Sequence, residues 1–280
     1  MCFFNAFNEK RMYDGRETKT RGDKYMHQIT STNNQQVIDW KKLLTRRERE
    51  KKNSYLVEGF HLVEEALMVK TEDIAQVMVR EDIVEDPEFL DLPIDPDFLT
   101  VVSEEIAEDI SDTETNQGIF AEINMHKTTY PEEITGPFLL LDGVQDPGNV
   151  GTMIRTAAAA GYQGVFLGRG TVDLYNPKTL RSAQGSHFHL EVYEGTLREF
   201  ILEFKKNNFP VLGTALNMEA QSYKEVEMDT PFALMVGNEG SGIRDEFLGF
   251  IDTNLYIPMK GSTESLNVAI AASILMFHLN

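Results

Sequence analysis

From residue 138 to the C-terminus the chain alternates short apolar runs with stretches of helical period. Residues 138–141, 165–167, 190–192, 211–214, 232–236 and 255–257 read as strands. Between them lie an alanine-rich helix over 149–160 stopped by Gly161, helices over 177–184, 197–206 and 243–248, and a last helix over 265–279. Strands that alternate with helices build a mostly parallel sheet covered on both faces. Such sheets take ligands beyond the carboxyl ends of their strands.

The first half has a less regular rhythm. A basic helix from about residue 40, a strand over 55–57, a helix over 61–69 and strands over 75–79, 99–102 and 118–123 predict a small α/β domain, interrupted by an acidic stretch around Pro87, Pro93 and Pro96. The expected division is a disordered extension over 1–34, a first domain over 35–125, a linker over 126–137 and a second domain over 138–280. Met26 reads as a second plausible start, and residues 1–25 receive no function. Two domains also suit 280 residues, because single cores stop growing near roughly 250 residues.

With 41% hydrophobic and 25% charged residues, the composition is that of an ordinary globular chain. The longest apolar stretch, 266–277, is interrupted by Asn267 and Ser273 and falls short of the roughly 20 residues a spanning helix needs. No apolar leader segment precedes it at the N-terminus. A single cysteine, Cys2, rules out a disulfide framework or a cysteine zinc site within the chain, and a reducing, cytoplasmic setting fits. His187 and His189 alternate along an expected strand and read as packed or solvated, so no metal is expected.

A net charge of -19 argues at first against nucleic acid. Its location changes the picture. Between residues 71 and 133 stand 19 acidic residues against Arg80 and Lys127, a local net of -17 that accounts for nearly all of the excess. Lys41, Lys42, Arg46, Arg47, Arg49, Lys51 and Lys52 face only Glu48 and Glu50, a cluster of net +5. That cluster is either a solvated helix face or, through Arg46, Arg47 and Arg49, a contact for RNA phosphate.

Three loops leave strands on the ligand side with unusual composition. In 142–151 (DGVQDPGNVG), Pro147 and Gly148 set a turn, Asn149 is a good N-cap, and Arg155 follows in a helix of small apolar residues, where a charge needs an anionic partner. In 237–242 (GNEGSG), three glycines let a ligand approach the main chain. This loop lacks the lysine of a phosphate-binding loop and the dinucleotide spacing, so an adenosine without phosphate suits it. In 257–268, Ser265 is a sensible N-cap, and Asn267 is a polar residue opening an apolar helix that bonds either the neighbouring loop or a substrate.

Together, in this order, the loops resemble the signature motifs of the SpoU (TrmH) family of SPOUT RNA methyltransferases, over about half of the chain. Residues 43–67, with Arg46-Arg47 and Val57-Glu58-Gly59, are similar to the substrate-binding domain often attached to that family. The resemblance implies an α/β fold with a C-terminal parallel-sheet SPOUT domain, a deep trefoil knot that holds S-adenosylmethionine, and a homodimer with active sites near the interface. It implies cofactor contacts at Thr214, Gly237, Ile257 and Leu266, and a catalytic group of Asn149, Arg155, Glu239, Ser265 and Asn267.

The implied reaction is in-line attack of an RNA ribose 2'-hydroxyl on the sulfonium methyl, which needs alignment and removal of a proton. Activation of the hydroxyl falls to Arg155 in this family. A guanidinium is effectively never deprotonated, so clamping the adjacent phosphate and stabilising charge on the oxygen suits it better. Glu239 either accepts the proton or braces its loop. The extra domain resembles those of ribosomal-RNA-directed members more than the compact transfer-RNA ones, a resemblance that implies 23S ribosomal RNA as substrate. The alternatives are a transfer RNA substrate, or a non-catalytic RNA-binding protein with the knot as dimerisation scaffold.

Overall fold

The computed structural model describes residues 27–126, 130–214, 219–262 and 265–280, and the chain divides into two compact units between His126 and Lys127. Residues 1–26, most of the expected extension, lie outside the described residues. The remainder of that extension is ordered, which corrects the expectation: His27–Ile29 is strand β1, with Ile29 in the core.

In the first unit β1 is followed by α1 (Gln35–Lys42), α2 (Arg46–Lys52), β2 (Ser54–Glu58), α3 (Phe60–Val69), β3 (Ile74–Arg80), α4 (Pro87–Leu90), β4 (Leu99–Val102), α5 (Glu104–Ile110) and β5 (Ile119–Asn124). Asn34 caps α1 and Ser103 caps α5, each accepting an amide that the first helical turn leaves unpaired. The sheet runs β1-β4-β3-β5-β2, parallel across β1, β4 and β3 and antiparallel from β3 through β5 to β2. Val37 and Trp40 of α1 pack with Ile106, Ala107 and Ile110 of α5 over Met78 and Phe120. A buried carboxylate fastens the basic helices to this sheet. Glu122 of β5 accepts from Trp40 Nε1 at 3.1 Å, Ser54 Oγ at 2.7 Å and Lys52 Nζ at 3.1 Å.

The second unit continues with β6 (Phe138–Asp142), α6 (Pro147–Ala159), β7 (Gly164–Gly168), α7 (Pro177–Ala183), β8 (Glu191–Gly195), α8 (Leu197–Lys206), β9 (Val211–Gly213), β10 (Gln221–Ser222), β11 (Ala233–Gly237), α9 (Asp245–Leu248), β12 (Thr253–Tyr256) and α10 (Val268–Leu279). Every strand pairing is parallel, in the order β10-β12-β9-β11-β6-β7-β8. Successive residues of a strand point to opposite faces, and here both faces are buried. Leu139 and Leu141, Val165 and Leu167, and Leu234 and Val236 join α6 and α10 in one core. Phe138, Leu140, Phe166 and Met235 join Phe200, Ile201 and Phe204 of α8 in the other. This is why the strands read as continuous apolar runs.

Helix α6 lies tightly on α7: a Cβ at Gly151 would stand 2.4 Å from the Thr179 carbonyl oxygen. Two helix starts differ from expectation. Asp146, not Asn149, caps α6, its carboxylate accepting the Asn149 amide at 2.9 Å, and Pro147 takes the first helical position, where a missing N–H costs nothing. Asn267, not Ser265, caps α10, its Oδ1 accepting from the Ala269 and Ile270 amides at 2.9 and 3.2 Å. Among the described residues no helix is long and apolar enough to cross a membrane.

Candidate active site

Strand order brings the loops of interest together. Strands β12, β9, β11 and β6 are consecutive neighbours, so Ile257, Thr214, Gly237 and Asp142 end or follow adjacent strands along one carboxyl edge. Gly237 is pressed against its own loop: a Cβ there would lie 2.1 Å from the Gly242 carbonyl carbon, so only glycine lets the loop fold back. Asn238 holds the return, its Oδ1 accepting from the amides of Gly240 and Ser241 and its Nδ2 donating to the Gly143 carbonyl at 2.9 Å.

Three motif residues form one relay. Glu239 accepts from the amides of Gln145 and Asp146, both at 3.2 Å, and from Asn149 Nδ2 at 3.0 Å. Asn149 Oδ1 accepts from Asn267 Nδ2 at 2.9 Å, and Asn267 Oδ1 then caps α10. The polarity of each link is forced. A carboxylate only accepts and a backbone amide only donates, so both asparagine side chains have one orientation that satisfies every partner. Burial alone pushes the Glu239 carboxyl up, but the donated bonds from Asn149 and from the Gln145 and Asp146 amides outweigh it and hold the group below its ordinary value. The Asn149 amide and the Lys178 ammonium, 3.0 Å away, hold Asp146 down in the same way.

The remaining motif residues stand apart from the relay. Arg155 is exposed on α6, and among the described residues no side chain pairs with it. The expected burial cost is therefore not met within one copy of the chain. Ser265 is exposed, and Leu266 is 36% accessible. Ile257 packs half-buried against the core and Thr214 is half-buried at the end of β9.

A pair absent from the sequence expectations anchors the edge. Asp142, fully buried at the end of β6, accepts from the Arg244 amide at 2.8 Å and from its Nε at 2.7 Å, while Nη2 lies 2.6 Å away. The signal was an aspartate closing a run of apolar residues, since a buried carboxylate requires a cation or several donors.

In the first unit, the arginines expected to meet RNA divide. Arg46 pairs with Glu50 at 2.7 Å on the exposed face, and Arg47 is exposed. Arg49 is a correction. It is 3% accessible and donates from Nη1 to the Leu43 carbonyl at 2.9 Å, closing the turn between α1 and α2. Its place on the inner face of a seven-residue helix commits its guanidinium to the fold. Among the described residues no group of three or more His, Cys, Asp or Glu side chains could hold a metal ion.

The chain is similar to known proteins over most of its length. The model of the SpoU rRNA Methylase family matches residues 136–277, and that of the MRM3-like substrate binding domain matches 34–121. The 23S rRNA (guanosine(2553)-2'-O)-methyltransferase RlmP of Bacillus subtilis is 48% identical over 257 residues, covering 91% of this chain and 99% of the relative. The crystal structure of an RNA 2'-O ribose methyltransferase superposes with a TM-score of 0.76 at 31% identity, covering 90% of this chain and 97% of that one. An AdoMet-bound rRNA methyltransferase from Sinorhizobium meliloti superposes with a TM-score of 0.76 at 27% identity, covering 90% and 96%. With its motif loops gathered on one sheet edge and half its length matched by the family model, the chain belongs to the SpoU rRNA methylase family.

Proposed function

We propose that this protein transfers a methyl group from S-adenosylmethionine to a ribose 2'-hydroxyl of 23S ribosomal RNA. The observation that carries the reading is the Glu239–Asn149–Asn267 relay, which ties all three motif loops together on neighbouring strands. The main chain suits the cofactor. Among the described residues, the amides and carbonyls of 259–262 have no hydrogen-bond partner, and a Cβ on Gly242 or Gly261 would meet nothing within 4 Å. Backbone donors and acceptors beside open glycines fit an adenosine that carries no phosphate. Residues Gly237, Ile257 and Leu266, with Thr214 at the neighbouring strand end, would hold it, and the bound cofactor would supply an electrophilic methyl on sulfur.

The chain's own groups then align and stabilise. Arg155, unpaired and exposed, clamps the phosphate beside the target ribose and stabilises charge developing on the 2'-oxygen. Glu239, held ionised by its donors, is a weak base and serves as a brace that aims Asn149. Ser265, at the mouth of the last loop, is available to the ribose. Arg46 and Arg47 of the first unit contact RNA phosphates.

The homodimer reading rests on α10, which is apolar all round yet leaves Ile270 51% and Phe277 59% accessible, one helical face apart by seven residues. A second copy covers that face, beside the C-terminal trefoil knot expected for the family. A 23S substrate sets the protein in the cytoplasm. The decisive experiment supplies purified protein, labelled cofactor and 23S rRNA. Label retained in a ribose 2'-O-methyl supports the reading, and no transfer together with no cofactor binding up to millimolar ligand overturns it.

A further inference from the structure

Ten cations lie between residues 130 and 280, and in so acidic a chain most have a partner. Lys178, Lys205, Lys206 and Arg244 pair with carboxylates. Arg198 and Lys224 lie over the rings of Phe250 and Tyr223, and Arg181 has contacts of its own. Among the described residues, only Arg155, Arg169 and Lys260 of these ten have no side-chain partner. All three follow carboxyl ends of strands, on the edge that carries the relay. Arg155 and Lys260 stand within or beside the motif loops. Arg169 lies outside them, and nothing so far accounts for it.

The segment that carries Arg169 is built into the site. Thr171 Oγ1 accepts from the Gly143 amide at 3.0 Å and donates to the Leu141 carbonyl at 2.9 Å, and the Val172 amide donates to the Val144 carbonyl at 3.0 Å. Gly170, at φ +91, brings its main chain against Gly143, where a Cβ would stand 3.8 Å from the Gly143 Cα. The loop after β7 is thus latched to the loop that presents Asn149. Its exposed arginine is placed by that latch and held by no acid. Strands stand about 4.8 Å apart in a sheet, so Arg169 and Lys260, on strands four intervals apart in the order β12-β9-β11-β6-β7, mark the ends of a cationic arc of about 19 Å.

We propose that Arg169 binds a backbone phosphate of the RNA next to the target nucleotide, on the side of the site away from the cofactor loop. The inference rests on the methyltransferase reading for the identity of the RNA. A guanidinium placed this way gives a phosphate two parallel hydrogen bonds and contributes equally to bound substrate and transition state. The residue is therefore a positioning residue, visible in substrate affinity rather than in the chemical step.

The test uses the full chain and in vitro transcribed 23S rRNA, with Arg169→Ala, Arg169→Glu and Arg169→Lys. Arg169→Ala should lower the slope of log affinity against log salt by about 0.7 to 0.9, the value for one lost phosphate contact. It should raise KM for RNA several-fold with kcat nearly unchanged, a split that a merely structural residue would not give. Arg169→Glu should be worse, Arg169→Lys should restore most of the slope, and cofactor affinity should be the same in all. An unchanged salt slope overturns the proposal. So does a change of oligomeric state in sedimentation with the slope intact, which would make Arg169 an ion-pair residue between two copies. Failure of the wild-type protein to bind the cofactor, with the slope still sensitive to Arg169, would instead overturn the methyltransferase reading and leave the RNA contact standing.

Discussion

Asn267 donates its side-chain amide to the side-chain oxygen of Asn149 at 2.9 Å across 118 residues of sequence. The bond works only in one sense, because Glu239 fixes the other end of Asn149 as a donor. Asn149→Asp places a second carboxylate against Glu239 and removes that donor. We expect methyl transfer to fall at least about tenfold, the equivalent of roughly 1.4 kcal/mol, with little change in melting temperature, since the site is exposed. A variant that melts early but turns over normally per folded molecule would refute the relay.

The acid dependence follows from the direction of the Glu239 shift. Its carboxyl is held below the ordinary range, so the brace contributes fully above the unfolded value of roughly 4.3 and is lost only as pH falls through the lower folded value. Cofactor affinity should be flat between pH 7 and 5. Glu239→Gln should weaken it at every pH without further loss on acidification. An acid limb in kcat with a midpoint near pH 6 that vanishes in Glu239→Gln would mark Glu239 as the proton acceptor instead.

Asp142 and Arg244 are unequal partners. Arg244→Ala leaves a fully buried carboxylate with only the backbone amide, and breaking a buried pair from one side costs on the order of 3–5 kcal/mol. Because Arg244 is 40% accessible, we expect about 2 kcal/mol by chemical denaturation. Asp142→Asn gives up one of the two acceptor oxygens but leaves no buried charge unpaired, and the half-exposed Arg244 can turn to solvent, so it should cost less. The reverse ranking would show that the pair does not anchor the edge.

Arg155→Lys keeps the charge and loses the planar fork. With no partner among the described residues, the side chain can change without cost to the fold. The rate should fall by about 10²-fold, in the range seen when one transition-state donor is lost, while melting temperature and cofactor affinity hold. Parallel loss of dimer and activity would assign Arg155 to the interface.

Much of the second unit was legible because its periods are clean. Helix α8 occupies 197–206 as read, with Leu197, Phe200, Ile201 and Phe204 inward. The helix starts were less so, since Asp146 competes with Asn149, and Asn267 with Ser265, as side chains able to cap. Composition cannot rank such neighbours. Helix α5 escaped notice because seven residues with four acids look like loop, although Ser103 and the inward Ile106 and Ile110 announce it. Of the site, the three motif loops were visible, but the strand order that joins them and the Asp142–Arg244 pair depend on tertiary neighbours. Arg49 misled because charge along a sequence does not say which face of a helix carries it.

The sheet order has a consequence for how the molecule comes into being. Strands β6, β7 and β8 adjoin in sequence and in space, whereas β9 has no strand to join on the β6 side until β11 has been made and slides between them. Gly143 meets Asn238 only after a separation of 95 residues, and closing so long a loop before its contacts form makes for slow folding. Glu239, Arg244 and Asn267 all follow that strand. A chain lacking β11 therefore has no site, because the loops that form it share one edge only when β11 stands between β9 and β6.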